Sequence, residues 1–107
     1  MLDTQNTVKT LDLKMYINGE WTNSSDNKTR EVINPATGEV IAQAAEGTVT
    51  DARAAIAAAK EAFESGVWSD LPTVERAAYL LKIADKIDEK AEELAALETM
   101  NNGKPLR

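Results

Sequence analysis

Carboxylates are the most abundant side chains able to do chemistry in these 107 residues: 18 Asp and Glu stand beside 12 Lys and Arg, with no Cys and no His. That inventory removes a thiol nucleophile, a histidine base, a Cys/His zinc centre and a disulfide framework from this stretch of chain. Glu92, Glu93 and Glu98 are spaced so that an acid/base set is conceivable. They also fall on the polar side of an amphipathic pattern beside Lys86 and Lys90, where a solvated, charge-balanced face is the simpler account. Asn101 carries a side-chain carbonyl at the end of a helical pattern. Together with backbone carbonyls it has the donor type that a hard monovalent cation prefers, and a helix-capping role is the alternative. Lys104 in Asn102-Gly103-Lys104 suggests an anion contact, but a helix end explains the triplet as well. Gly47 and Gly103 are isolated and belong to no phosphate-cradling run. Trp21 and Trp68 each stand beside a turn and are expected to anchor a strand or loop, with a ligand-binding aromatic patch as the other reading.

These residues need elements to position them. Residues 1–13 are polar with isolated leucines and read as an N-terminal arm. Lys14–Ile17 and Glu20–Thr22 flank Asn18-Gly19, a pair that tolerates the positive φ angles of a tight hairpin turn. Residues 23–28 form a polar loop. Thr29–Ile33 and Glu39–Ala44 flank Asn34-Pro35-Ala36-Thr37-Gly38, whose Pro and Gly suit a second turn. After Gly47 the apolar period changes from 2 to 3.6. Thr48 and Thr50 are both candidate N-caps, and Asp51 complements the positive end of the helix dipole. Ala52, Ala55, Ile56, Ala59 and Phe63 then share one face, and Ser65-Gly66 closes the helix. A second pattern begins near Thr73 with Ala77, Leu80, Leu81, Ala84 and Ile87. It breaks at Asp88-Glu89-Lys90 and resumes, with shifted phase, at Leu94, Leu97 and Met100. Two helices, or one with a sharp bend, are expected between 73 and 101, with Gly103 capping and Pro105 forbidding continuation.

Strands clustered before helices point to α+β for this stretch taken alone: short β-hairpins followed by two or three amphipathic helices. A length of 107 residues supports at most one domain. The hydrophobic fraction of 43% is alanine-rich, with only two Trp, two Tyr and one Phe. Alanine faces let helices approach closely while burying little area each. The net charge of −6 disfavours nucleic acid and anionic membrane surfaces. Neither an apolar leader nor a spanning segment is recognisable, so a cytoplasmic protein is expected.

The segments are more specific in combination than singly. "YINGEW", "VINPATGEVIAQAAEGT", "DARAAIAAAKEAFESGVWSDLPTVERAAYLLKIADKI" and "LAALETMNNGKP", in this order, resemble the opening of an aldehyde dehydrogenase from Met15 to Leu106. The resemblance implies an α/β parent of several hundred residues with a Rossmann-type cofactor domain, of which residues 14–107 form an incomplete N-terminal part. It implies NAD or NADP as cofactor, a small aldehyde as substrate, and oxidation to a carboxylate through a cysteine thiohemiacetal. A broad-substrate or betaine-aldehyde type is the nearest match. No catalytic or cofactor-binding residue of the family can be placed on this sequence. One family site maps in part: a structural Na⁺ or K⁺ held by backbone carbonyls at Val32 and Ile33 and by position 101, where Asn101 stands in place of the family's usual aspartate. The expectation is an inactive N-terminal fragment whose helix faces pack on the rest of the parent enzyme. The alternative is a small interaction or self-association module without catalysis.

Overall fold

A computed structural model describes residues 12–106. Five strands precede three helices. Strands β1 (Asp12–Leu13), β5 (Val40–Ala45) and β4 (Thr29–Ile33) form one sheet in the order β1-β5-β4, while β2 (Met15–Ile17) and β3 (Glu20–Thr22) form a separate hairpin. The helices are α1 (Val49–Ser65), α2 (Thr73–Glu89) and α3 (Ala91–Asn102). Both expected hairpins and all three expected helical segments are therefore present.

Each turn does what its residues permit. Asn18 and Gly19 hold φ of 54° and 78°, the left-handed pair that a two-residue hairpin demands. Ile17 then faces Glu20, and Tyr16 faces Trp21. The rings of Tyr16 and Trp21 meet at 4.8 Å between centroids, a cross-strand aromatic pair. In the second turn the Ala36 N–H donates to Asn34 Oδ1 at 2.9 Å and the Gly38 N–H to the Asn34 carbonyl at 2.8 Å. Beyond it β4 runs antiparallel to β5, from Thr29 opposite Ala45 to Val32 opposite Ala42.

The N-terminal arm differs from expectation where it is described. Asp12 and Leu13 pair in parallel with Gln43 and Ala44 of β5. The reason is the edge of β5, whose otherwise unpaired N–H and C=O groups find partners there. The rest of the expected arm, 1–11, lies outside the described residues.

Helix α1 begins at a reciprocal cap. The Asp51 N–H donates to Thr48 Oγ1 and the Thr48 N–H returns a bond to the Asp51 carboxylate, so Thr48 rather than Thr50 is the N-cap. Gly66 ends the helix in the left-handed conformation at φ 74°, its N–H on the Phe63 carbonyl. Trp68, in the following link, packs against Tyr79 of α2 with centroids 5.7 Å apart, which is the anchoring role expected of it. Helices α2 and α3 are separated by Lys90 alone, so the shift in apolar phase is a real helix break.

Within this chain most of the apolar stripes of α1 and α2 are uncovered. The buried apolar cluster is small: Ile41 and Ala42 of β5 and Met100 of α3, with Val32 and Leu97 packed against it. Ala96 is also buried. On α1 the half-buried positions are Asp51, tied to the loop at 23–28, and Ala55 and Ala58, which face the β2–β3 hairpin, while Ile56 and Phe63 are 69% and 73% exposed. The α2 stripe of Leu80, Leu81 and Ile87 is exposed as well. Periodicity selects a face, but it does not supply the neighbour that covers it. No helix among the described residues is long and apolar enough to cross a membrane.

Candidate functional site

Two places bring polar groups from distant parts of the chain together. The first is where the C-terminal half of α3 lies over the β4–β5 sheet. Its apolar side is set by Leu97 and Met100 packing onto Val32, Ile41 and Ala42. Beside that contact is a depression of about 400 Å³ whose lining includes Val32 from the sheet and Leu94, Glu98 and Asn101 from α3. Two of the residues singled out from sequence, Val32 and Asn101, therefore line the same depression. The third, Ile33, is 42% exposed at the end of β4 and is not part of this lining.

The sheet is irregular at the same point. Val32 is opposite Ala42 but Ile33 is opposite Val40, so Ile41 is an extra residue on β5. A bulge of this kind takes backbone groups out of regular ladder pairing. The turn that follows sits near the C-terminus of α3: a Cβ placed on Gly103 would lie 3.5 Å from Pro35 Cγ. Backbone carbonyls beside a bulge and an amide oxygen across the gap are oxygen donors of the kind a hard cation accepts. The described residues contain no group of three His, Cys, Asp or Glu side chains suited to a metal ion.

Asn101 does not cap the helix. Gly103 does, at φ 82°, with its N–H on the Thr99 carbonyl at 2.9 Å. Asn102 reinforces that end: its Oδ1 accepts from the Lys104 N–H at 2.8 Å and its Nδ2 donates to Glu98. This leaves Lys104 at a capped helix end rather than in an anion cradle. Glu98, one of the three carboxylates considered as an acid/base set, is bound to Asn102 and lines the depression. Glu93 is paired across the surface with Lys90, and Glu92 is exposed. The three are not brought together as a catalytic group.

The second place is the start of α1, where the loop at 23–28 docks. The Ser25 N–H donates to both Asp51 carboxylate oxygens, at 3.2 and 3.0 Å, and Ser25 Oγ lies 2.7 Å from Thr48 Oγ1. The Thr48 N–H, followed by the Ser25 N–H, holds the Asp51 carboxyl below its ordinary pKa. Asp26 is held low chiefly by the Lys28 N–H, with the Ser24 hydroxyl adding to it. Ser24, the one buried polar side chain among the described residues, donates to Asp26 Oδ1 and to the Lys28 carbonyl. These bonds are internal to the loop and its helix, so the arrangement is a fastening with no open valence for a ligand. Sequence reading identified Asp51 through the helix dipole and missed Ser25, since nothing in a polar loop marks which backbone N–H will reach a carboxylate 26 positions away.

Comparison with known proteins places the chain as a whole. The model of the aldehyde dehydrogenase family matches residues 21–107. Malonate-semialdehyde dehydrogenase 2 of Oceanobacillus iheyensis is 48% identical over 94% of this chain and 20% of its own length. The betaine aldehyde dehydrogenase of Bacillus subtilis is 46% identical over 86% of this chain and 19% of its own. Among solved structures, betaine aldehyde dehydrogenase from Staphylococcus aureus in complex with NAD⁺ superposes with a TM-score of 0.91 at 46% identity, covering 95% of this chain and 20% of that one. The chain thus spans about a fifth of the length of these relatives.

Proposed function

The chain belongs to the aldehyde dehydrogenase family, and on that premise we propose that it is the N-terminal part of an NAD(P)-dependent oxidoreductase that converts an aldehyde to a carboxylate. The observation that carries this reading is the family match over residues 21–107, in a chain that spans a fifth of its relatives' length. In the proposed parent reaction a cysteine thiolate adds to the aldehyde carbonyl to give a thiohemiacetal, and the tetrahedral species is steadied by hydrogen-bond donors aimed at its oxygen. Nicotinamide, when bound, supplies the hydride acceptor, and water then releases the acid. These 107 residues contain neither that cysteine nor a glycine-rich phosphate loop, so they do not fit the cofactor and no step is assigned to them.

Their own role in this reading is to scaffold. The exposed apolar faces of α1 and α2 are to be covered by the remainder of the parent enzyme. Two features support this. Arg76 Nε on α2 is buried without a hydrogen-bond partner among the described residues, a demand that a neighbouring acceptor would meet. The Cα radius of gyration is 17.2 Å, against about 13 Å for a self-contained domain of this size. The same reading places the parent in the cytoplasm, with a small aldehyde of the betaine-aldehyde or broad-substrate type as substrate. A Na⁺ or K⁺ ion between the Val32 and Ile33 carbonyls and the Asn101 side chain belongs to it too. The meeting of Val32 and Asn101 at one depression favours that ion; the absence of a formal charge on Asn101 weakens it.

The purified 107-residue chain, mixed with NAD and a small aldehyde, is expected to form no NADH above the blank. Steady turnover by the homogeneous chain overturns the scaffold role. Reading the coding DNA past the codon for Arg107 tests the parent itself: a continuing frame with a cysteine nucleophile and a glycine-rich cofactor loop is the expected result. The alternative, a small interaction module without catalysis, draws on the same exposed helix faces; a compact, cooperatively melting monomer by light scattering and thermal melting favours it, whereas aggregation or a molten state favours the severed N-terminal part.

A further inference from the structure

The chain contains two Asn-Gly pairs, Asn18–Gly19 and Asn102–Gly103, and the structure holds them in opposite chemical situations. In such a pair the glycine nitrogen has no neighbouring Cβ to hinder its approach to the asparagine side-chain carbonyl. The nitrogen attacks Cγ and a new C–N bond closes a five-membered succinimide. The bond from Cγ to the side-chain nitrogen breaks, and ammonia leaves with the proton that the glycine nitrogen gives up. Water then opens the ring at one carbonyl or the other, leaving aspartate or isoaspartate. The sequence is redox-neutral, and its only co-reactant is water.

At Asn102 each reacting group is occupied. The nucleophile, the Gly103 N–H, donates to the Thr99 carbonyl at 2.9 Å. The electrophilic amide is held at both atoms: Nδ2 donates to Glu98, and Oδ1 accepts from the Lys104 N–H at 2.8 Å. Gly103 also packs close to Pro35. Attack there requires the cap of α3 to open first.

At Asn18 none of this holds. Asn18 and Gly19 are exposed, and among the described residues neither the Asn18 side chain nor the Gly19 N–H makes a hydrogen bond. A Cβ placed on Gly19 would meet nothing within 4 Å. The surrounding hairpin has three residues per strand and forms its own two-stranded sheet; it borders the alanine face of α1 across an open depression of about 360 Å³ that Asn18 and Gly19 line, so the turn has room to rearrange.

We propose that Asn18 is a self-modification site of this chain, deamidating through a Gly19 succinimide, and that the helix cap protects Asn102 from the same chemistry. The product matters to the hairpin. Isoaspartate adds a methylene to a two-residue turn whose register, Ile17 opposite Glu20 and Tyr16 opposite Trp21, depends on turn length. Aspartate keeps the backbone and adds one negative charge.

The test is to hold the chain at mildly alkaline pH, in buffer and in concentrated urea, and follow the Asn-to-Asp mass gain in the two peptides by mass spectrometry. In buffer Asn18 is expected to react about tenfold faster than Asn102 or more, since hydrogen bonds at Asn102 must open first. In urea the two rates converge. An Asn18→Gly variant, which keeps the turn's positive φ, shows no hairpin deamidation and an unchanged rate at Asn102. Equal rates in buffer, a faster Asn102, or the same ratio in urea as in buffer overturns the proposal; the last would mean that flanking sequence rather than the fold sets it.

Discussion

Asp51 accepts from two backbone N–H groups that are far apart in sequence, Thr48 beside it and Ser25 in the docked loop. Both bonds favour the carboxylate over the acid, which is why its pKa lies below the ordinary value. For a depressed carboxylate, the stabilisation is complete above the unfolded-state pKa and is lost as pH falls through the folded one. The contribution of the loop–helix fastening is therefore intact at neutral pH and disappears below the usual carboxylate range. Asp51→Asn is expected to lower the urea midpoint of α1 at neutral pH and to flatten its acid limb, as followed by circular dichroism against pH. A wild-type acid limb retained in the variant would assign the effect to other carboxylates. Thr48→Ala removes the reciprocal cap and is expected to cost about 1 kcal/mol in the same measurement. The cap is legible in the sequence only to within Thr48 or Thr50, and the reciprocal bonds of Thr48 and Asp51 settle it. The Ser25 bond is not legible, because no local rule relates residue 25 to residue 51.

At the scale of elements, helix formation and helix burial separate. Helix α1 begins at the Thr48 cap, and α1 and α3 end at Gly66 and Gly103, both at positive φ, whereas α2 starts after Pro72 and stops at Lys90 without a side-chain cap or a glycine. Yet α3, the shortest, carries the burial, with Ala96 at 2% and Met100 at 4% exposure. Met100 fills the contact with Ile41 and Ala42, so Met100→Ala leaves a cavity there and is expected to cost about 2–4 kcal/mol by urea denaturation. Leu80→Ala on α2, where Leu80 is 59% exposed, is expected to shift the midpoint by less than about 0.5 kcal/mol. The two side chains are of similar size and both fall on apolar stripes, so the contrast measures what covers each stripe. A comparable loss from Leu80→Ala would show that α2 is packed in the isolated chain.

The whole molecule extends 46 × 36 × 18 Å, with one small core between α3 and the sheet and with helices α1 and α2 laid out beside it. Exposed apolar surface on that scale seeks a partner. In solution the isolated chain is expected to scatter light above monomer mass, and Leu80→Glu with Leu81→Glu is expected to return it toward monomer. A cooperatively melting, monodisperse wild-type monomer would instead favour an independent module. The sequence by itself indicated the elements from residue 14 onward, because turn pairs and apolar periods act over three to five residues: the Asn18-Gly19 hairpin follows from neighbours alone, while the choice of Thr48 over Thr50 as cap and of a break at Lys90 over a bend came from the structure. Its motifs in combination also pointed to the family that the comparisons bear out. Only the tertiary structure decided that Asp12-Leu13 pairs with β5, that Val32 and Asn101 line one depression while Ile33 does not, that Ser25 is tied to Asp51, and that Asn102 is shielded where Asn18 is open. Each of these depends on which distant groups come within a few ångströms once the chain has packed, and local sequence pattern carries no record of that distance.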